Sequence, residues 1–194
     1  MSNRTQRITR IGSVAAIVVV IAEVVSLVSF FVSFAVGQPW GTLGALALLV
    51  FVAALAPLML SFYELGGLTP TRLAQLAQAL GWASVLTWCV FLLLWAFGVQ
   101  AEAGAPAAEA FTIGSLGYIG LWIAGANLLA GRWLGAERWL GVLVGLALAA
   151  FAVGVPLSGG VETWWMTLGF VGFLSILPAW AFLMARLLGR LSAG

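Results

Sequence analysis

Glu23 lies within an otherwise apolar run from Ile11 to Gly37, and Ser26, Ser29 and Ser33 follow it at spacings of three, three and four. On a helix those spacings put all four side chains on one face. Glu23 stands thirteen residues past Arg10, a helical rise of about 20 Å. If this run crosses a bilayer, its carboxyl group sits close to the middle. A carboxylate there costs several kcal/mol unless it is paired or protonated, and a polar stripe on an apolar helix faces the protein interior rather than lipid. Two chemistries suit the pattern. One is a proton- or cation-coupling site. The other is a neutral glutamic acid hydrogen-bonded to a neighbouring helix as packing glue. No basic residue is expected at the same depth, and Asn127 is the candidate hydrogen-bond partner.

A second polar group comprises Glu64, Arg72, Gln75 and Gln78. Thr69-Pro70 reads as an N-cap followed by a proline at the first helical position. The helix it opens begins amphipathically, with Arg72, Gln75 and Gln78 opposite Leu73, Leu76 and Leu80. A Glu64–Arg72 ion pair would close the preceding loop. The group fits an inner gate or a lipid-headgroup site. It also fits an interfacial helix start whose long side chains reach for water, which we favour because such ends are common. Two glycine patterns suggest close helix packing: Gly114, Gly117 and Gly120 at every third position, and Gly141 with Gly145 as GxxxG, extended by Ala149. Either could join helices within the chain or join two chains; internal packing is the simpler reading.

The residue inventory removes most catalytic schemes. The 194 residues include no His, and all eight basic residues are Arg, all six acidic ones Glu; Cys89 is the single cysteine. That excludes bis-His haem, Cys/His zinc and an internal disulfide. A Ser-His-Asp triad, an HExxH metal site, a lysine Schiff base and aspartyl proteolysis are excluded likewise. We therefore assign no catalytic residue, no metal ligands and no cofactor.

With 63% hydrophobic and 7% charged residues, against about 25% charged in soluble domains, the chain cannot cover a water-facing surface. Its solvent must be lipid. The arginines fall at the ends of apolar runs, so the basic balance describes topology and not nucleic-acid binding.

The elements that position these residues are apolar segments punctuated by Gly, Pro and Arg. They predict an all-α fold: a polytopic transmembrane bundle of about six helices in a single domain, residues 1–194. The helices are expected over about 11–37, 41–63, 72–98, 111–130, 139–155 and 163–188, with Pro57 and Pro178 as internal kinks. With the N-terminus inside, the inner segments hold Arg4, Arg7, Arg10, Arg72, Arg132, Arg138, Arg186 and Arg190, and the outer loops hold Glu102, Glu109 and Glu162. These are four separate arginine groups, and chance agreement among them is about one in eight, which supports both termini in the cytoplasm. Trp40, Trp95, Trp164 and Trp165 fall at the outer interface, and Trp133 and Trp139 at the inner one.

The stretch from Gly117 to Gly145, GYIGLWIAGANLLAGRWLGAERWLGVLVG, resembles the fourth and fifth helices of several uncharacterised bacterial six-helix integral membrane protein families. The shared pattern is an apolar helix, a short Arg-bearing inner turn, a Trp and a Gly-rich helix. The resemblance covers about a third of the chain and carries over no catalytic residue. It implies a multi-pass protein of the bacterial inner (plasma) membrane. Two roles are expected. The first is a non-enzymatic subunit, assembly factor or regulator of a membrane complex, with the bilayer and a membrane-protein partner or second copy as its contacts. The second is a small solute or proton-coupled carrier, or a substrate-binding membrane component, built around Glu23. Six-helix substrate-binding components of vitamin importers are similar in size and topology, but this chain places a charged residue in its first helix and has shorter outer loops.

Overall fold

The computed structural model describes residues 3–37, 39–65, 72–96, 105–129, 135–158 and 164–193. Every ordered element among them is helical: α1 (Asn3–Val36), α2 (Trp40–Leu65), α3 (Arg72–Ala96), α4 (Ala105–Leu129), α5 (Ala136–Leu157), and a sixth rod made of α6 (Trp164–Val171), a π-helical stretch (Gly172–Ile176) and α7 (Leu177–Ala193). Five of the helices are long and apolar enough to cross a membrane, and the apolar part of α4 with described side chains runs from Leu116 to Leu129.

Several boundaries differ from those expected. The polar start of the chain is helical from Asn3, not from Ile11, because it contains no breaker and is tethered at its start. The Arg4 guanidinium meets Glu64 at 3.0 Å, and the Gln6 amide donates to the Ser192 carbonyl at 3.2 Å. Helix α4 begins at Ala105, so the last residues of the expected loop are helical; Pro106 falls in the first turn, where its missing N–H is harmless. Helix α5 runs through Pro156 to Leu157 rather than stopping before the proline. The turn between α1 and α2 matches its chemistry: Gly37 adopts φ +82°, a left-handed cap whose N–H bonds the Ser33 carbonyl at 2.8 Å.

The two prolines expected as kinks are accommodated differently. Pro57 stays inside α2, and the Ser61 hydroxyl lies 2.8 Å from its carbonyl and 3.0 Å from that of Ile8 in α1. Before Pro178 the helix widens instead. The Leu177 N–H donates to the Gly172 carbonyl, an i to i−5 bond. Pro178 has no N–H for the carbonyl one turn back, and the wider turn makes room for its ring.

Each helix packs on its neighbours in sequence, and α7 returns to α1, closing the six rods into a ring. Helix α1 turns small residues inward (Gly12, Ala15, Ala16, Val19 and Ala22), while α2 and α7 supply large ones, among them Phe51, Phe62, Trp180 and Met184. Large side chains therefore fill the ring from the helices flanking a slim one. The Arg4–Glu64 and Gln6–Ser192 contacts, the 3.0 Å bond from the Arg138 guanidinium to the Leu128 carbonyl and the Gln78–Trp122 contact gather the described arginines at one end of the ring. Both described chain ends lie there too. Trp40 and the stacked pair Trp164–Trp165, 3.7 Å between centroids, lie at the other end. Arg132, Trp133, Glu102 and Glu162 are outside the described residues, as are the side chains of Trp95 and Glu109.

Candidate functional site

The buried stripe of α1 runs Thr9, Gly12, Ala15, Ala16, Val19, Ala22, Glu23, Ser26, Ser29, steps of three with two adjacent pairs, which keep one face toward α2 and α7. Glu23 is thus held inside the ring and is only 3% exposed. Neither of its carboxylate oxygens has a hydrogen-bond partner. Whichever protonation state it takes, at least one buried polar atom is left unmatched, at a cost of about 1–3 kcal/mol for each such atom.

The serines near Glu23 do other work. Ser26 donates to the Gly44 carbonyl of α2 at 3.0 Å, a bond between helices. Ser29 is buried. Ser33 is only half-buried and turns back to the Phe30 carbonyl of its own helix at 2.7 Å. The glutamate and three serines share one side of the helix, but the structure does not join them into a hydrogen-bonded chain. Two serines outside that group also tie the helices together: Ser13 donates to the Ala185 carbonyl of α7 at 2.9 Å, and Ser61 reaches back to α1. Their signal in the sequence is a lone hydroxyl on the small-residue face, visible only once the partner helix is known.

Asn127 is not the partner of Glu23. It is buried in the α4–α5 seam, where its amide donates to the Ile123 carbonyl at 2.8 Å and its side-chain oxygen has no donor. Gly141 of α5 lies directly against it. The ring puts α4 and α1 on different sides, which separates the two residues.

The second polar group is rearranged as well. Glu64 pairs with Arg4 rather than Arg72, because the antiparallel packing of α1 on α2 brings the chain start to the end of α2. Gln78 accepts a 3.0 Å bond from the Trp122 indole of α4, Gln75 is exposed, and Arg72 is exposed at the start of α3. These four residues lie at one end of the ring but form no common pocket. The Arg4 side chain is 76% exposed, so its ion pair is screened and contributes at most about 1 kcal/mol. Glu64→Gln is therefore expected to leave the melting temperature of the detergent-solubilised protein within about 4 °C of wild type; a larger drop would mean that the pair anchors the chain start.

Of the glycines, Gly117 faces Ala152, and Gly120 and Gly145 face each other so closely that a Cβ on Gly120 would come 2.7 Å from the Gly145 carbonyl oxygen. These residues with Gly141 make the α4–α5 seam. Gly114 has open space around it and takes no part in that contact.

The outer surface carries a further feature that residue spacing did not reveal. Three clefts of about 420, 340 and 370 Å³ follow the α1–α2 seam from Arg10 to Trp40. Val18 is shared by the first two, and Leu43 and Leu46 by the last two, so they form one continuous groove. Its floor is Ala15 and Ala22 from α1 and Ala47 and Ala54 from α2, each pair seven residues apart; exposed Val14, Ile21, Val25 and Val50 form its walls. Glu23 lines none of these clefts.

Among the described residues, no group of three or more Cys or Glu side chains converges as metal ligands would. Comparison with protein-family models, with curated proteins and with solved structures gives no match for this chain.

Proposed function

We propose that this chain is a bacterial inner-membrane protein with its arginine-rich end in the cytoplasm, and that it acts as a non-enzymatic subunit that seats a transmembrane helix of another protein. The groove along α1–α2 carries this reading. It extends over eighteen residues of α2, from Trp40 to Pro57, about 25 Å of helix, close to the roughly 30 Å of a bilayer core. Alanines at seven-residue intervals on its floor let a helix backbone approach closely, which is how helices associate where lipid removes the hydrophobic drive. The arginine distribution supports the orientation.

Native mass spectrometry of the protein released from nanodiscs tests the assignment. The expected result is one further polypeptide at fixed stoichiometry, lost when the groove is filled by Ala22→Leu or Ala47→Leu. A chain that stays monomeric, or a partner retained by both variants, would remove the groove from the account; a dimer of this chain lost in the same variants would make the partner a second copy. Orientation is read separately. In a Cys89→Ser background, Asn3→Cys should resist a membrane-impermeant maleimide in intact cells and react after lysis.

A second reading rests on one observation, the sealed carboxyl group of Glu23 without a donor. A carrier that moves protons through Glu23 would leave such a group unmatched in one resting state. Proton flux into proteoliposomes, abolished by Glu23→Gln, would favour this reading over the first. No flux above protein-free vesicles would end it.

A further inference from the structure

The seam between α3 and α4 carries an outward-facing cleft of about 320 Å³. Its floor is the buried Trp122 and Gly125, which has open space around it. Exposed Leu76 and Leu80 of α3 and Tyr118 and Leu128 of α4 form its walls. The cleft follows α4 from Tyr118 to Leu129, about 17 Å of helix. That is close to half of a bilayer core about 30 Å thick, the depth of one leaflet. The α1–α2 groove runs nearly the full depth and suits a helix; this shorter cleft suits the acyl chain of a lipid.

Two arginines stand at its mouth. The 3.0 Å bond from the Trp122 indole to Gln78 marks the antiparallel register of α3 on α4. Six residues back along α3 and six forward along α4 from that bond, Arg72 comes level with Leu128. Arg72, Leu76 and Leu80 follow one another at steps of four, so the exposed arginine shares the face that lines the cleft. Side chains on α3 lean toward its N-terminus, which carries the Arg72 guanidinium out of the apolar layer. Arg138 reaches the same level from α5. Its guanidinium donates to the Leu128 carbonyl at 3.0 Å, in an exposed contact. Among the described residues neither arginine forms an ion pair; Glu137, beside Arg138 in the first turn of α5, holds its carboxylate against Gly135 instead. Two cations without a counter-charge, above an apolar cleft one leaflet deep, complement a molecule that joins an anionic headgroup to an acyl chain.

We infer that the α3–α4 cleft binds one anionic glycerophospholipid from the leaflet at the arginine end, with its phosphate accepting from Arg72 and Arg138 and one acyl chain lying along Leu76, Gly125 and Leu128. Dioleoyl phosphatidylglycerol and dioleoyl phosphatidylcholine have identical chains and differ in headgroup charge. Both are added in equal amounts to the delipidated protein in detergent, and the lipids retained are counted by native mass spectrometry. One phosphatidylglycerol per chain should be retained in preference to phosphatidylcholine by about 25-fold, since each arginine beside the headgroup is worth about fivefold. Arg72→Gln and Arg138→Gln should each lower the preference to about fivefold. Arg7→Gln removes a charge from α1 at the same end of the ring and should leave it unchanged. Gly125→Leu and Ala77→Leu, which fill the cleft from its two helices, should each abolish retention; the leucine at 125 enters open space, and an unchanged melting temperature shows that the variant is folded. Equal retention of the two lipids, a preference lowered as much by Arg7→Gln as by Arg72→Gln, or a lipid retained by both folded filling variants would overturn the assignment. So would a polypeptide held by the wild type and released by those variants, since a helix would then be the occupant.

Discussion

Gly145→Leu is expected to destabilise the protein more than any other single substitution considered, by about 3 kcal/mol or more. A side chain at position 145 would run into the Ala124 backbone nitrogen and, 2.5 Å away, the Gly120 carbonyl oxygen. Both obstacles are backbone atoms of α4, so no rotamer change relieves the clash and the helices must separate. Separation would also disturb the neighbouring contacts, Gly117 with Ala152 and Gly141 with Asn127, because they lie along the same seam. For a chain of this size, 3 kcal/mol corresponds to about 6–12 °C in melting temperature. Gly125→Leu is the control. Gly125 lies on α4, faces open space and lines an outer cleft, so the substitution removes a flexible residue without a clash and should leave stability equal or slightly higher. Thermal unfolding of both variants in one detergent decides the matter. Equal losses would show that the α4–α5 seam is not the rigid contact described here.

The helices were legible in the sequence because their signal is local. Unbroken apolar runs, prolines and arginine-bearing turns mark six rods without reference to any contact, and the all-helical architecture follows from them. Burial of Glu23 was legible for the same reason: its spacing from Ser26 and Ser29 requires a common face, and an apolar helix turns such a face inward. Its surroundings were not. Asn127 was a reasonable partner by residue type, but the ring order, which no local pattern encodes, turns it from α4 against Gly141 of α5. Glu64 had an arginine eight residues away in sequence and chose one sixty residues away, because antiparallel helices bring distant ends together. The π turn at Gly172–Ile176 was visible only as a proline, since a missing N–H announces a disturbance without saying whether the helix bends or widens. The α1–α2 groove is a shape left between helices, and it exists only once the rods are assembled.

Replacing Glu23 with leucine is expected to make the protein more stable, the reverse of the usual result for a substitution at a 3% exposed position. Leucine is of similar bulk, so the ring stays filled. What is removed is a pair of oxygens with no donor. If relief of that penalty amounts to about 2 kcal/mol, the melting temperature rises by about 4–8 °C. Glu23→Gln separates shape from polarity. It keeps the size and still buries unmatched polar atoms, so it should melt within about 2 °C of wild type. Ser26→Ala supplies the contrast on the same stripe: it deletes the bond to the Gly44 carbonyl and should lower stability, by about 0.6 kcal/mol for an interhelical bond of this kind. A more stable Glu23→Leu protein means that the wild-type chain carries a destabilising group in its interior. Such a group is retained where function requires it, because stability and activity trade against each other at working sites. A fall in melting temperature on Glu23→Leu would instead mean that the carboxyl group is matched in the membrane, by water, an ion or a helix of another chain. Glu23 would then belong to packing, and the proton-carrier reading would lose its one supporting observation.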